Sequence, residues 1–237
     1  MQAVKLFFRS FSKGELLLWG ASVLLIVLSF CVFDRENWLT LLASLVGATS
    51  LIFCAKGNPA GQALMLLFSA LYGVISWTFS YYGEMITYLG MTAPMALAAL
   101  ISWLRHPFKG NRAEVRVNRL RAGEAVFALL LTAAVTAAFY FILKALDTAN
   151  LIPSTVSVAT SFLAVYLTFR RSPYYALAYA ANDVVLIVLW VLAAIEDITY
   201  LSVIICFVMF LANDLYGFIN WRRMEKRQQE SDAEPAA

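Results

Sequence analysis

Two Asn-Asp dipeptides stand inside long apolar runs of this 237-residue chain, Asn182-Asp183 and Asn213-Asp214, each preceded by alanine. Ionisable groups within a membrane-length apolar segment cost about 2.5–3.5 kcal/mol on insertion scales, so they count as functional candidates. Helical spacing puts Tyr175, Tyr179, Leu186 and Trp190 on the face of Asn182, and Phe210, Tyr216, Gly217 and Asn220 on that of Asn213. An earlier run presents Gln62, Ser69, Tyr72 and Ser76 at helical spacings. Amides beside aromatic rings can hydrogen-bond a ribose or a carboxamide and stack on a flat ring. The aspartates would complement a cationic ligand. Each Asn or Asp has a competing reading as an interhelical hydrogen bond, typically worth well under about 2 kcal/mol. The aromatics have one as ordinary packing.

The elements that position these residues follow from composition. The chain is 62% hydrophobic and 14% charged, against about 45–50% and about 25% in soluble domains. The excess falls in blocks near the 17–25 residues, roughly, that cross a bilayer. Eight such blocks are expected, at Glu15–Phe33, Trp38–Ala55, Ala60–Tyr81, Met85–Leu104, Glu124–Ala145, Pro153–Phe169, Tyr174–Ile195 and Tyr200–Trp221. Each should be helical, because hydrocarbon leaves backbone groups no other partner. With eight alternating spans, sixteen of the eighteen lysines and arginines fall on one side, which assigns both termini to the cytoplasm. The basic stretch from His106 to Ala122 is expected along the inner membrane surface, facing anionic lipid. The tail from Met224 to Ala237 is expected to extend the last helix briefly and then lose order.

An internal echo organises these spans. Glu84 to Gly90 reads EMITYLG, and Glu196 to Ser202 reads EDITYLS, five matches in seven. Lys56 and Pro59 precede one apolar run as Arg170 and Pro173 precede its counterpart, and Ser102-Trp103 closes the first copy as Asn220-Trp221 closes the second. The expected fold is an all-α polytopic membrane protein of eight transmembrane helices, one leading helix followed by a 3+1+3 parallel repeat. Its expected parts are a leader (1–37), a first three-helix repeat (38–105), a basic loop with a linker helix (106–150), a second repeat (151–223) and a disordered tail (224–237). A duplicated bundle with a polar site between its halves is a recurring design of carriers.

Absences narrow the chemistry. The chain holds no G-x-x-x-x-G-K-[ST] phosphate cradle, no G-x-S-x-G element and a single histidine, His106. Its three cysteines, Cys31, Cys54 and Cys206, all sit in apolar runs and read as packing residues. No cofactor, no metal and no nucleic-acid partner are expected, and the enzyme reading is weak; a membrane-embedded enzyme or a scaffold stays as an alternative to a carrier.

The runs SWLRHPFKGNRAEVRVNRL (Ser102 to Leu120) and ANDLYGFINWRR (Ala212 to Arg223) resemble the PnuC transporters of nicotinamide riboside, whose three-one-three arrangement is shared with the SWEET sugar transporters. The likeness covers the chain from about Trp38 onward. It implies import of a vitamin nucleoside across the bacterial inner membrane by facilitated diffusion with alternating access. It also implies trapping by a cytoplasmic nicotinamide riboside kinase, and it is compatible with a homo-oligomer. Asn182, Asn213 and Asn220 match asparagines of the family's last helices. The chain has Ala178 and Tyr179 where other members place tryptophan, and Ser69 where some have asparagine. Thiamine and riboflavin therefore stay beside nicotinamide riboside as cargo. The candidate binding set is Asn182, Asn213, Tyr179, Asp183, Asp214, Trp190, Gln62, Ser69, Tyr72, Tyr216 and Asn220.

Overall fold

A computed structural model describes residues 11–78, 85–148 and 150–233. Among them, eight helices are long and apolar enough to cross a membrane. The helices are α1 (Lys13–Phe33), α2 (Trp38–Ala55), α3 (Pro59–Thr78), α4 (Ala93–Arg105), α5 (Ala122–Ala145), α6 (Leu151–Phe169), α7 (Tyr175–Ala194) and α8 (Leu201–Ala233). A π-helical stretch, Thr87–Thr92, leads into α4. It ends two residues before Pro94, whose missing N–H interrupts the α-helical ladder. Thr92 compensates in part by donating its hydroxyl to Thr87 O at 3.2 Å.

The leader α1 begins with a capping box between Ser12 and Glu15. Glu15 also pairs with Lys56 Nζ at 2.9 Å and accepts from the Tyr216 hydroxyl at 3.1 Å. This one carboxylate therefore ties α1 to the α2–α3 turn and to α8. Helices α2 and α3 pack closely at Gly61, where a Cβ would stand 2.6 Å from Cys54 N and Cys54 Sγ. Ser50 donates to Gly61 O across the same contact. The principal core joins α1, α2, α3, α4 and α8, with Leu51, Met65, Phe68, Phe207 and Phe210 at its centre.

Two sequence expectations change here. The basic stretch after α4 holds a β-hairpin, β1 (Pro107–Phe108) with β2 (Asn111–Val115), turning through Lys109 and Gly110 at positive φ. The tail is helical as far as Ala233 rather than disordered from Met224. The reason is mutual packing. A 33-residue helix is about 50 Å long, well beyond the roughly 30 Å hydrocarbon layer, and the hairpin covers the overhang. Val115 is fully buried there beside Met224 and Gly57. Gln228 accepts from Val117 N and donates to Val115 O and Glu114, and Arg119 pairs with Glu225.

Candidate functional site

One end of the bundle is closed by four hydrogen bonds arranged in matching pairs. Trp221 Nε1 on α8 donates to Cys54 O at 2.8 Å, and Asn220 Nδ2 donates to Ala55 O at 2.8 Å. Trp103 Nε1 on α4 donates to Thr168 O at 2.9 Å, and Ser102 Oγ donates to Phe169 O at 3.0 Å. The acceptors are the last carbonyls of α2 and α6, which have no donor within their own helices. Both indoles are fully buried, 5.3 Å apart, and Tyr175 packs its edge against each. The turns after the two acceptor helices match as well, with Gly57 and Arg171 both left-handed at φ 67° and 57°. The end of β2 and the segment after it cross both turns, Val115 N donating to Gly57 O and Asn118 N to Arg171 O. Burial, then the nearby charges of Arg170 and Arg116, lower the pKa of the Arg171 guanidinium.

Beyond this clasp lies a cavity of about 430 Å³ that extends to exposed Asp147 and Asn150 at the opposite end. Helix α7 supplies Tyr179, Asn182, Asp183, Leu186 and Trp190 to its lining. All but Asp183 are residues that helical spacing assigns to one face, with Tyr175 one turn lower in the clasp. Another part of the wall is aromatic: Phe68, Tyr88, Phe207 and Phe210 line it in edge-on contacts. Asn182 is held from behind by α6. The hydroxyls of Ser157, Thr160 and Ser161 converge on its Oδ1 at 3.2, 2.9 and 3.0 Å. That fixes the carboxamide by its oxygen and leaves its NH2 end for a ligand. The carboxylates of the lining are Asp147, Asp183 and Asp214, and among the described residues no Lys, Arg or His joins them. Near the same end, Asp197 caps the turn before α8, and the N–H and hydroxyl of Thr199 hold its carboxyl below the usual range.

Six residues of the sequence-derived set do not line the cavity. Asn213 turns away from the cavity that Asp214 lines, toward the leader helix. Its Nδ2 donates to Ser22 Oγ on the leader at 2.9 Å and to Met209 O. Tyr216 is engaged by Glu15, and Asn220 belongs to the clasp. Gln62 donates to Cys54 Sγ, and Ser69 to Met65 O in its own helix. Tyr72 stands behind the wall, 4.8 Å from the Tyr88 ring.

Residues that sequence reasoning passed over are Phe68, Thr87, Tyr88, Thr92 and the α6 hydroxyls. The spacing of Ser157, Thr160 and Ser161 at i, i+3 and i+4 was a readable signal for one polar face. The two tyrosines of the internal echo, Tyr88 and Tyr200, both line the cavity.

Comparison with known proteins agrees with this architecture. Residues 37–223 match the family model described as nicotinamide mononucleotide transporter. The chain is 30% identical over 201 residues to the nicotinamide riboside transporter PnuC of Neisseria mucosa, covering 83% of this chain and 76% of that protein. It is 22% identical over 214 residues to the nicotinamide riboside transporter PnuC of Haemophilus influenzae, covering 88% and 90%. A crystal structure of the vitamin B3 transporter PnuC superposes with a TM-score of 0.80 at 26% identity, covering 92% of this chain and 94% of that one. These relatives are carriers, not enzymes, and the leader α1 lies outside the matched family segment. With eight apolar spans, a carrier-like cavity and a family match over most of its length, the chain belongs to the PnuC family of nicotinamide riboside transporters.

Proposed function

We propose that the protein carries nicotinamide riboside across the bacterial inner membrane by facilitated diffusion, with the hairpin and both termini on the cytoplasmic side. The observation that carries this reading is a cavity with an aromatic wall, an anchored carboxamide, three aspartates and, among the described residues, no basic group. Nicotinamide riboside is a flat pyridinium with a fixed positive charge, a carboxamide and a ribose. Its ring fits the aromatic wall, its charge the aspartates and its amide or hydroxyls Asn182. The volume of about 430 Å³ lies within the usual range for small-molecule sites, about 300–1,000 Å³.

The same charge pattern favours the riboside over its mononucleotide. A phosphate would enter an acidic cavity that offers no Lys or Arg to balance it. Phosphorylation of the riboside by a cytoplasmic kinase would then keep the product from returning.

The paired clasp supports a carrier with alternating access. Residues 38–105 and 151–223 act as two parallel three-helix repeats. Each repeat's closing Ser-Trp or Asn-Trp donates to the last carbonyls of the other's first helix. Opening the clasp while the far end closes would expose the cavity to the other side.

Uptake of radiolabelled nicotinamide riboside into proteoliposomes, in competition with unlabelled riboside, mononucleotide, thiamine and riboflavin, tests the proposal. Riboside should compete at least tenfold better than mononucleotide, a difference of about 1.4 kcal/mol. Equal competition by the mononucleotide would overturn the charge argument.

A further inference from the structure

Outside the cavity, where α6 turns into α7, three donor nitrogens are buried with no hydrogen-bond partner: Arg171 Nε, Arg171 Nη1 and Asn118 Nδ2. The backbone brings their two residues together. Asn118 N donates to Arg171 O at 3.0 Å, where the strap of residues 116–120 crosses the turn. Arg171 stands at a left-handed position, φ 57°, that the matching turn after α2 gives to Gly57. Glycine is the usual occupant of such a position after a helix, so a long cationic side chain there has its own reason.

The neighbouring arginines are paired and this one is not. Arg170 pairs with Glu124, Arg116 with Asp232 at 2.6 Å and Arg119 with Glu225 at 2.9 Å. Among the described residues Arg171 meets no carboxylate, and the charges that act on it are those of Arg170 and Arg116. A guanidinium does not shed its proton in a protein. The turn therefore carries one uncompensated positive charge beside an unmatched amide donor. Buried donors without acceptors cost free energy. Water would bring an acceptor and no charge, whereas a phosphate group brings several acceptor oxygens and negative charge together.

We propose that Arg171 and Asn118 form a binding site for a phosphate group, which bridges the strap to the α6–α7 turn. The bound group accepts from the guanidinium and the carboxamide, reinforcing the main-chain bond between the same two residues. Two sources present this chemistry at such a turn, the headgroup of an anionic phospholipid and a soluble phosphate. Neither Arg171 nor Asn118 lines the cavity, so the site stands whatever the cargo.

The test is equilibrium dialysis of the purified full-length chain, in nonionic detergent, against radiolabelled inorganic phosphate at constant ionic strength. Phosphate should bind saturably at a single site. Arg171→Gln and Asn118→Ala should each weaken it about tenfold or more. Arg171→Lys, which keeps the charge and loses the guanidinium donors, should weaken it too should Arg171→Gln fail to fold. Arg112→Gln, an equal loss of charge at an exposed hairpin position, should leave binding unchanged. Displacement of the label by phosphatidylglycerol micelles but not by phosphatidylcholine would assign the site to a lipid headgroup, and no displacement to a soluble phosphate. Phosphatidylglycerol retained through purification and lost in Arg171→Gln would support the lipid equally. Trypsin cleavage after Arg116 or Arg119 should slow several-fold at saturating phosphate, and an unchanged rate would overturn the bridge. Binding of phosphate or lipid that is equal in Arg171→Gln and the unaltered chain, or that falls as much in Arg112→Gln, would mean an adventitious ion only and overturn the proposal. A chain that binds no phosphate and retains no phosphatidylglycerol would overturn it as well.

Discussion

Replacing Trp221 with phenylalanine keeps the aromatic packing of the clasp and removes one indole N–H. The lost bond is Trp221 Nε1 to Cys54 O, 2.8 Å long in a fully buried setting. Interhelical hydrogen bonds in membranes average about 0.6 kcal/mol with a maximum near 1.7, so about 1 kcal/mol suits a well-formed buried one. Four such bonds together hold the clasp by about 2.5–4 kcal/mol. Removing one should raise the clasp-open population about fivefold, because about 1.4 kcal/mol is a factor of ten. The Cys54 carbonyl keeps the N–H of Gly57, so the fold should survive. A reporter is available at Ala176, which is fully buried where Gly217 on α8 approaches Ala55 on α2. With the three native cysteines replaced by alanine, Ala176→Cys should react slowly with a membrane-impermeant maleimide applied from the hairpin side. Trp221→Phe and Trp103→Phe should each speed that reaction about fivefold. Trp38→Phe, at an exposed position on the first turn of α2, should not. Unchanged labelling in both clasp variants, or an equal rise in the Trp38 control, would refute the clasp as a gate.

Asn182→Ala should weaken riboside binding tenfold or more, about 1.4 kcal/mol, while thermal stability falls only modestly. The freed Thr160 hydroxyl still reaches Val156 O and Ser157 O in its own helix, and titration with a melting curve separates the two effects. Gly47→Ala would place a Cβ 2.6 Å from Phe210 Cζ and 3.1 Å from the Phe68 ring. The rings must then shift at the cavity wall, so uptake should fall alongside a destabilisation of about 1–3 kcal/mol, read by proteoliposome flux and thermal unfolding. Glu15→Ala removes the capping box, the Lys56 pair and the Tyr216 hydrogen bond. It should cost about 1–3 kcal/mol and release α1 from the bundle, which hydrogen exchange across α1 would register. Gln228→Ala strips three hydrogen bonds from the hairpin, and limited proteolysis between Phe108 and Val117 should accelerate several-fold.

What could be read in the residues is what depends on local chemistry. Span positions follow from the length of apolar runs, since hydrocarbon leaves the backbone no alternative to helix. The face of α7 was legible for a related reason. Helical periodicity alone puts Tyr179, Leu186 and Trp190 with Asn182, and the cavity lies along that face. The Asn213-Asp214 pair was not legible in this way. Which of two neighbours turns inward depends on where α1 packs, and Ser22 on α1 draws Asn213 outward. The extent of α8 depended on a partner as well, because its polar overhang is held by a hairpin more than a hundred residues earlier.

The Ser-Trp and Asn-Trp closures stood out in the sequence as markers of two copies, yet their acceptors could not be read there. Those acceptors are main-chain carbonyls at helix ends, which every residue type supplies alike. Only the packing of α4 against α6 and of α8 against α2 decides which carbonyl an indole meets, and with it which end of the bundle is shut. The amino-acid order alone determined a polar, aromatic-lined membrane bundle. Tertiary structure decided that Asp183 and Asp214, on separate helices, would line one cavity, because proximity between helices is a property of packing and no local pattern encodes it.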